Sequence, residues 1–245
     1  DGGSVRVWNV NARRQVAALG GHGARVRSLA FSPSGDILAC ASSDPDSSVK
    51  LWDVGGMREV AALRHPSRVA SLAFSPDGTL LACACEEGTI ELWRARTMGK
   101  IATFQGHGSS MYTVAFSPDG TVLASGSDDG NVELWSVRAK QDMFTLRGHR
   151  SHVNAVAFSA DGALLASGST DGTVKLWDVD AGKEIATLRG HEHGQWVRSV
   201  SFSPDGALLA SASTDDTVKL WEVASRQEIA TLRGHGEGVY SVAFS

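Results

Sequence analysis

The sequence predicts an all-β fold made of a tandem array of four-stranded antiparallel sheets. Six tryptophans lie 41 to 44 residues apart along the 245 residues, each inside a run typical of a β-strand, such as "VELWSV". Six histidines recur in phase with them, five in the dipeptide Gly-His. These markers are Trp8, Trp52, Trp93, Trp135, Trp177 and Trp221, and His22, His65, His107, His149, His191 and His235. A repeat of this length predicts one supersecondary unit per period.

Four short strands fit within one period. Residues 149–190 contain the runs "VNAVAFS", "LLASGS", "TVKLWDV" and "EIATLRG", separated by turn-forming segments such as "ADGA" and "TDG". In several repeats Ser-Pro-Asp-Gly follows the first run, and its proline and glycine favour a tight turn. The second run consists of leucine and small residues, which suits a central strand that neighbouring sheets approach closely on both faces. We call the four strands of each repeat a, b, c and d.

The repeats predict a ring of sheets. A single four-stranded sheet cannot bury both of its faces, whereas a radial array lets each sheet cover the next, and only a ring removes the open ends. These motifs resemble the WD-repeat β-propeller family along the whole chain, although the aspartate after tryptophan remains only at Asp53 and Asp178. The resemblance implies a β-propeller of four-stranded antiparallel blades, with six WD repeats and strand a nearest the axis.

The whole chain, residues 1–245, is predicted to be a single propeller domain with one blade split between the termini. The chain opens with strands c and d (Ser4 to Val10 and Gln15 to Leu19) and closes with a lone strand a (Val239 to Ser245). Without strand b, a and c would lie roughly 9.5 Å apart, too far to hydrogen-bond. Either the chain is part of a longer array, or roughly 11 residues are lacking for six blades, or about one further 42-residue repeat as well for seven. We expect a fragment of a longer protein. The predicted segments are 1–20, 21–64, 65–105, 106–147, 148–189, 190–233 and 234–245.

Three repeats each combine serine, histidine and aspartate with the tryptophan. A hydrolase needs one exposed serine on a strained turn beside an oxyanion hole, whereas this set occurs three times. We therefore predict no catalytic residues but three buried hydrogen-bonded tetrads that pin the loop before strand a to the b–c turn, a structural role that the resemblance also implies. The tetrads are His107, Ser125, Asp129 and Trp135; His149, Ser167, Asp171 and Trp177; and His191, Ser211, Asp215 and Trp221.

Two earlier repeats depart from this pattern. Cys40 and Cys83 occupy the serine position and Glu87 the aspartate position, so these blades are expected to be weaker, because a thiol is a poor hydrogen-bonding group. Cys83 and Cys85 could suggest zinc, but a second pair of ligands at suitable spacing is missing. We predict no metal, no cofactor, and three buried, reduced, unpaired cysteines.

Composition restricts the partners and the compartment. A formal net charge of −4 argues against extensive nucleic-acid or anionic-membrane binding, which usually requires a basic face. No run of apolar residues is long enough to span a bilayer. An odd number of cysteines, three, is typical of a reducing compartment, so we expect a cytoplasmic protein.

Aromatic and arginine residues concentrate at one variable position of the repeat. They flank the residue that opens strand a, and residues two apart on a strand point to the same face. Trp196, the tryptophan that does not follow the repeat, is among them. The resemblance implies that this rim of the channel mouth binds partners. The predicted rim residues are Arg25, Arg27, Arg68, Tyr112, His152, Asn154, Trp196, Arg198 and Tyr240.

The sequence thus predicts a non-enzymatic protein–protein interaction scaffold or sensor module. The rim would receive a peptide or protein loop whose acidic or phosphorylated groups face the arginines. Near-identical repeats resemble arrays attached to signalling proteins, so an effector domain elsewhere in the parent chain is expected by analogy. Two alternatives remain: nucleic-acid or phospho-ligand binding through the rim arginines, and an enzyme with a pocket in the channel mouth. The second is least favoured because the sequence has no single, non-repeating catalytic cluster.

Overall fold

The computed structural model describes residues 3–20, 25–42, 47–108, 110–192 and 194–244. Twenty-two strands form five four-stranded sheets and one two-stranded sheet, and all neighbouring strands are antiparallel. Each four-stranded sheet contains strands a, b, c and d in chain order. The prediction of an all-β fold with four-stranded antiparallel blades is therefore confirmed.

The strand bounds follow the repeats. The two-stranded sheet consists of β1 (Val5–Asn9) and β2 (Arg14–Leu19). Blade 1 consists of β3 (Val26–Phe31), β4 (Ile37–Ser42), β5 (Ser48–Asp53) and β6 (Arg58–Arg64). Blade 2 consists of β7 (Val69–Phe74), β8 (Leu80–Cys85), β9 (Thr89–Arg94) and β10 (Lys100–Gln105). Blade 3 consists of β11 (Met111–Phe116), β12 (Val122–Ser127), β13 (Asn131–Ser136) and β14 (Gln141–Arg147). Blade 4 consists of β15 (Val153–Phe158), β16 (Leu164–Ser169), β17 (Val174–Asp178) and β18 (Lys183–Leu188). Blade 5 consists of β19 (Val197–Phe202), β20 (Leu208–Ser213), β21 (Val218–Glu222) and β22 (Gln227–Leu232).

The blades pack side by side around an axis. The a strands contact one another in the order β3, β7, β11, β15 and β19, and strand b of each blade also contacts strand a of the next. Small residues in strand b allow this approach. A Cβ atom added to Gly126 of β12 would lie 2.5 Å from Cγ1 of Val153 in the next blade, too close for two carbon atoms. The expectation that neighbouring sheets approach strand b closely is confirmed.

The Ser-Pro-Asp-Gly segments close the hairpins between strands a and b. In blade 2, Ser75 Oγ donates to Asp77 Oδ1 at 2.5 Å and the Thr79 N–H donates to the same oxygen at 3.0 Å. Gly78 has φ +69°, which a residue with a side chain rarely adopts. The hydrogen bond from Ser75 lowers the pKa of Asp77, so the carboxylate that organises the turn stays charged near neutral pH.

Blade 5 contains a complete tetrad. Trp221 Nε1 donates to Ser211 Oγ at 2.9 Å, and that hydroxyl lies 2.7 Å from His191 Nε2. His191 Nδ1 lies 2.8 Å from Asp215 Oδ2. Burial lowers the pKa of His191, so its ring is neutral near pH 7 and can accept from Ser211 while donating to Asp215. Blade 4 contains the same tetrad. Its distances are 2.8 Å from Trp177 to Ser167, 2.7 Å from Ser167 to His149 and 3.1 Å from His149 to Asp171.

The tetrad predicted for blade 3 is wrong. Trp135 Nε1 does donate to Ser125 Oγ at 3.0 Å, but His107 Nδ1 contacts the Glu133 carboxylate instead of Asp129. The His107 backbone N–H also donates to Glu133, at 2.7 Å, while Asp129 accepts from Asn131 within its own turn. Glu133 is buried on strand c, and a buried carboxylate needs a donor. The histidine is therefore drawn to strand c and away from the b–c turn.

In blade 2 the histidine also lies against a carboxylate on strand c. His65 Nδ1 lies 2.7 Å from Glu91 Oε2 on strand c, and Lys100 Nζ lies 2.8 Å from the other oxygen of that carboxylate. Blades 4 and 5 carry lysine at this position of strand c, and Lys175 and Lys219 instead bind Glu184 and Glu228 on strand d. A glutamate or lysine two residues before the tryptophan therefore decides which carboxylate the histidine meets.

The cysteines in the serine position leave two indoles without partners. Within the part of the chain that the structure describes, Nε1 of Trp52 and of Trp93 is buried and lacks a hydrogen-bond partner. Cys40 and Cys83 occupy the positions of the tetrad serines in strand b. The expected loss of hydrogen bonding in these blades is confirmed. The histidine of the first repeat, His22, lies outside the described residues.

The last segment does not form the predicted strand a. Residues 239–244 have no ladder partner among the described residues, although they pack on blade 5. The Val239 N–H donates to Ser213 O at 2.8 Å and the Val242 N–H to Ser199 Oγ at 3.2 Å. In the same way, the Val114 N–H of β11 donates to Ser71 Oγ of the preceding blade, at 3.3 Å. The segment thus occupies the place of strand a, and the described residues contain no strand b that could pair with it. Ser245 lies outside the described residues.

Cys83→Ser is expected to stabilise the protein. A serine hydroxyl at this position can accept from Trp93 Nε1, as Ser125 does from Trp135. One restored buried hydrogen bond contributes about 1 kcal/mol, which for a chain of this size raises Tm by roughly 2 to 4 °C. Cys85→Ser is the control, since Cys85 lies two residues along β8, outside the tetrad position. Calorimetric melting that shows no difference between the two variants would contradict the role given to residue 83.

Asp215→Asn is expected to make the free energy of unfolding less dependent on pH in the acidic range. Burial raises the pKa of Asp215, but hydrogen bonds from Thr217 and His191 outweigh burial and lower it to about 2. Because this pKa is lower in the folded than in the unfolded state, the carboxylate stabilises the fold above about pH 4 and loses this effect as the pH falls toward 2. The difference in unfolding free energy between wild type and variant, measured in urea at each pH, should shrink over that interval. A difference that stays constant down to pH 2 would refute this account.

Candidate functional site at the channel mouth

The starts of the a strands surround a cavity of about 570 Å³ at one end of the channel. Each of the five blades contributes to its lining, and so does the segment 239–244. Every predicted rim residue except Arg68 lines this cavity. The lining residues are Arg25, Val26, Arg27, Ala70, Tyr112, His152, Asn154, Thr170, Trp196, Arg198 and Tyr240. Positions that are 40 residues or more apart in sequence therefore converge because every repeat places the same part of strand a at the axis.

Trp196, Arg198 and Tyr240 form a stack on one side of the mouth. The Arg198 guanidinium carbon lies 4.4 Å from the centroid of the Trp196 ring and 5.7 Å from that of Tyr240. Aromatic faces attract a guanidinium and restrict its motion. Among the described residues, Arg198 Nε has no hydrogen-bond partner although it is shielded from solvent. The stack therefore holds an oriented cation at the mouth.

Backbone hydrogen bonds hold Trp196 at the rim. Its N–H donates to Thr214 Oγ1 at 2.8 Å, and its carbonyl accepts from the Thr214 N–H at 3.0 Å. Val197, the next residue, is fully buried between blades. Because side chains alternate along a strand, burial of Val197 directs Trp196 and Arg198 together toward the mouth. The Trp196 side chain is 41% exposed there.

Tyr112 and His152 extend the aromatic side of the mouth. Their ring centroids lie 5.4 Å apart with the planes inclined at 32°. Burial raises the pKa of Tyr112, and the negative charges of Asp128 and Glu86 raise it further, so its phenol remains protonated and able to donate. Together with the stack, this pair places an aromatic arc at the mouth, with residues from blades 3, 4 and 5 and from the segment 239–244.

The other side of the mouth is ionic. Arg27 on blade 1 lies 3.3 Å from Glu86 on blade 2, and Arg68 lies 3.8 Å from the same carboxylate. Glu86, which follows strand b directly, was not among the predicted rim residues. Its counterparts in the next three blades are Asp128, Thr170 and Thr214, so variation at this first position of the b–c turn was the available signal. Two of the predicted rim arginines thus face a carboxylate of their own chain.

Asn154 has a positioning role in this geometry. Its Nδ2 donates to Thr170 Oγ1 and to the carbonyl of Val197, both at 3.0 Å. The second bond crosses from blade 4 to blade 5. The amide nitrogen is therefore engaged in joining two blades, and Asn154 supports the wall on which Trp196 and His152 are placed.

The mouth has the chemistry of a binding surface. In the described ranges, no group of three or more His, Cys, Asp or Glu side chains could hold a metal ion. The structure also has no helix, within those ranges, of the length and apolarity needed to cross a membrane. The serine and histidine of each complete tetrad are buried, and the serine hydroxyl already accepts an indole N–H. The aromatic rings and arginines at the mouth can bind a ligand by stacking and ion pairing.

Comparison with known families agrees with this architecture. The family described as the echinoderm microtubule-associated protein second beta-propeller matches residues 40–196, well over half of the chain. The family described as WD domain, G-beta repeat matches residues 13–53 and 182–222. The chain belongs to the WD-repeat β-propeller family. WD repeats generally mediate protein–protein interactions, and the families that contain them are typically non-enzymatic scaffolds.

One curated relative of this WD-repeat propeller is the periodic tryptophan protein 2 homolog of Dictyostelium discoideum. The two are 30% identical over 112 residues, which is 45% of this chain and 12% of that protein. The similarity therefore concerns a small part of a much longer relative. It supports the assignment to WD-repeat proteins.

Trp196→Ala is expected to leave the propeller nearly as stable as wild type. Trp196 is 41% exposed, whereas the tetrad residue Trp177 is 1% exposed. Removing a buried indole costs about 3 to 5 kcal/mol, but removing an exposed one that makes a cation–π contact costs about 1 kcal/mol or less. Urea unfolding of Trp196→Ala and Trp177→Ala provides the comparison. Equal losses of stability would show that Trp196 is a packing residue and not a surface available to a partner.

Proposed function

We propose that this WD-repeat propeller is a non-enzymatic scaffold that binds a peptide or protein loop at its channel mouth. The observation that supports this function is the stack of Trp196, Arg198 and Tyr240 at the rim. Tryptophan, tyrosine and arginine dominate the binding energy of protein interfaces. Here they stand together, partly exposed, in a chain that has only two tyrosines and seven tryptophans. We propose that this group is the energetic centre of the interface.

The size of the mouth favours a narrow ligand. Its cavity of about 570 Å³ can hold a few side chains, whereas a folded domain could only cover the rim. A loop tip or an extended segment could place one side chain against the aromatic arc and continue across the rim. Binding of this kind requires no rearrangement of the blades, because buried residues such as Val197 already fix the orientation of the rim.

The charges favour a ligand with a localised acidic group. The Arg198 guanidinium lies at the mouth, and carboxylates and phosphates are the groups that guanidinium binds best. Arg27 and Arg68 are partly neutralised by Glu86, and Asp128 adds a second negative charge near Tyr112. A polynucleotide would bring many phosphates toward both carboxylates. The arrangement therefore favours an acidic or singly phosphorylated peptide over nucleic acid.

We further propose that the propeller works in the cytoplasm as the recognition part of a longer signalling or scaffold protein. All three cysteines are buried and unpaired, and burial raises the pKa of Cys40 and of Cys85 to about 12, which keeps both thiols protonated. Such thiols suit a reducing compartment, where disulfides are rare. An effector domain elsewhere in the parent protein would then act on what the mouth recruits.

Peptide binding measured on matched variants tests this function. A library of acidic and phosphorylated peptides is screened on the wild-type domain, and the dissociation constant of the best ligand is measured by calorimetry. Trp196→Ala is expected to weaken binding by about thirtyfold, the effect of removing an interface hot spot. Arg198→Glu should weaken the binding of an acidic ligand to a similar degree. Val60→Ala, an exposed residue of β6 outside the mouth, is the control and should bind normally.

Two results would contradict the proposal that the channel mouth binds an acidic peptide. One is a ligand that binds wild type, Trp196→Ala and Arg198→Glu equally well. The other is preferential binding of an oligonucleotide whose affinity falls steeply with salt, since loss of affinity in proportion to released counterions is the signature of nucleic-acid binding. An acidic peptide that makes one or two ion pairs should show only a shallow dependence on salt.

A further inference from the structure

A second cavity, of about 680 Å³, lies between blades 1 and 2 on the face of the propeller opposite the channel mouth. We call it the inter-blade cavity. Its lining comes from the a–b and c–d turns of these two blades and from the strand ends beside them. Neighbouring strands alternate in direction, so these turns lie at the far end of the sheets from the starts of the a strands. The inter-blade cavity and the channel mouth have no lining residue in common.

A single alanine widens the inter-blade cavity. Ala95 lines the cavity, is 4% exposed, and donates its N–H to Thr79 O at 2.9 Å. In the other four-stranded blades a valine makes the same backbone bond and packs into a hydrophobic cluster. These valines are Val54, Val137, Val179 and Val223. The methyl groups that fill this position elsewhere are therefore absent between blades 1 and 2.

The floor of the inter-blade cavity continues the hydrophobic core between the two blades. Ile37, Phe74 and Met98 line the cavity and pack against the buried cluster that joins blades 1 and 2. Val60 of β6 completes the floor and is 41% exposed. An apolar side chain bound here would remove apolar surface from water on both molecules, which favours binding.

Opposite charges face each other across this floor. Asp36 lies on the blade 1 side and Arg96 on the blade 2 side, and both are exposed. Hydrogen bonds from the Ser34 and Ser32 hydroxyls lower the pKa of Asp36, and the positive charge of Arg96 lowers it further. The two charged groups attract each other through space, but within the described part of the chain they form no ion pair. The cavity therefore has a negative wall and a positive wall.

The other carboxylates at the rim are already engaged. Asp53 accepts from the Gly55 N–H through Oδ1 and pairs with Arg58 through Oδ2, at 3.1 and 3.3 Å. Asp77 uses both of its oxygens within its own a–b turn. Both serine bonds of Asp36 go to Oδ1, which leaves Oδ2 for a ligand.

Arg94 extends the positive wall. It occupies the position directly after the tryptophan of strand c, where Ser136 and Asp178 cap the c–d turns of their blades. Their side-chain oxygens accept a backbone N–H at 3.1 and 2.8 Å. Arginine has no acceptor and cannot make this cap. A groove of about 190 Å³, lined by Arg94 and Arg96, adjoins the cavity instead. Blade 2 thus lacks a turn-stabilising contact and has a second guanidinium beside the cavity.

We propose that the inter-blade cavity binds an extended peptide segment of a partner protein in which one large apolar residue stands between a basic and an acidic residue. The apolar side chain rests on the floor beside Ala95. The basic group meets the free oxygen of Asp36, and the acidic group pairs with Arg96, since guanidinium and carboxylate form strong hydrogen-bonded pairs. In an extended segment the three side chains point to one face when one residue separates each from the next.

The polarity of the walls selects this ligand. A segment with two basic groups would bring one of them against the arginines, and a segment with two acidic groups would bring one against Asp36. Like charges placed together at an interface suppress the wrong partner. A cavity of this size accommodates a few side chains, whereas a folded domain would cover only its rim.

A set of four matched peptides tests this proposal. The probe is Ac-KGFGE-NH2, and its controls are Ac-KGFGK-NH2, Ac-EGFGE-NH2 and Ac-KGAGE-NH2. Methyl NMR of methionine-labelled domain reports the binding, because Met98 lines the cavity whereas Met143 on β14 is 40% exposed and lies outside it. The probe should shift the Met98 methyl resonance saturably and leave that of Met143 in place. Each control peptide should bind at least about tenfold more weakly.

Three substitutions assign the contacts. Ala95→Val introduces the residue that the other blades carry, so the variant should fold, and the filled floor should lower the affinity for the probe at least about tenfold. Asp36→Asn should abolish the preference for the probe over Ac-EGFGE-NH2. Arg96→Ala, which matches Ala224 of blade 5, should abolish the preference over Ac-KGFGK-NH2. A change of preference between two peptides does not follow from a general loss of folding.

Trp196→Ala is the control for the channel mouth and should bind the probe as wild type does, so the two sites can fail independently. The proposal fails if the probe gives no saturable shift of Met98, if all four peptides bind equally, or if Ala95→Val leaves the affinity unaltered. Sedimentation that shows self-association of wild type, abolished by Ala95→Val, would assign the cavity to a second copy of this chain and also overturn the proposal.

Discussion

Each blade depends on its neighbours for burial. A twisted four-stranded sheet has two faces, and the narrow b strands of this chain allow both faces to be covered at close range. Gly126 and Gly168 lie directly against valines of the following blade, at distances that leave no room for a Cβ atom. Stability is therefore a sum over interfaces between blades, and it falls where a neighbour is incomplete. Leu29 of blade 1, which has no four-stranded sheet before it among the described residues, is 51% exposed, whereas the matching Leu72 of blade 2 is 7% exposed.

Within the blades, a buried charge on strand c directs the polar network. In blades 4 and 5 a lysine at this position pairs with a glutamate on strand d, and the histidine is left to join the serine and the aspartate. In blades 2 and 3 a glutamate takes its place, and the histidine pairs with that glutamate. A carboxylate removed from water requires a donor nearby, so its demand outweighs the weaker preference of the histidine for the b–c turn. The charge of one residue on strand c thus decides whether the histidine joins the serine and the aspartate of the tetrad or pairs with strand c instead.

The proposed binding site at the channel mouth arises from variation within the repeat. The repeat places one variable residue from each blade around a common axis, so its diversity creates a surface with aromatic and ionic sides. This site would recognise side chains of a ligand.

The spacing of tryptophan and histidine, the Ser-Pro-Asp-Gly turns and the small residues of strand b determined the blade architecture and its strand order, because these are local patterns that recur. They also placed Trp196, Arg198 and Tyr240 at one position of the repeat. Tertiary structure alone decided the pairing of His107 with Glu133 and the neutralisation of Arg27 and Arg68 by Glu86. Each of these depends on which groups compete for one buried or shared partner across strands or blades. Such competition depends on distances in three dimensions, which a repeat pattern does not contain.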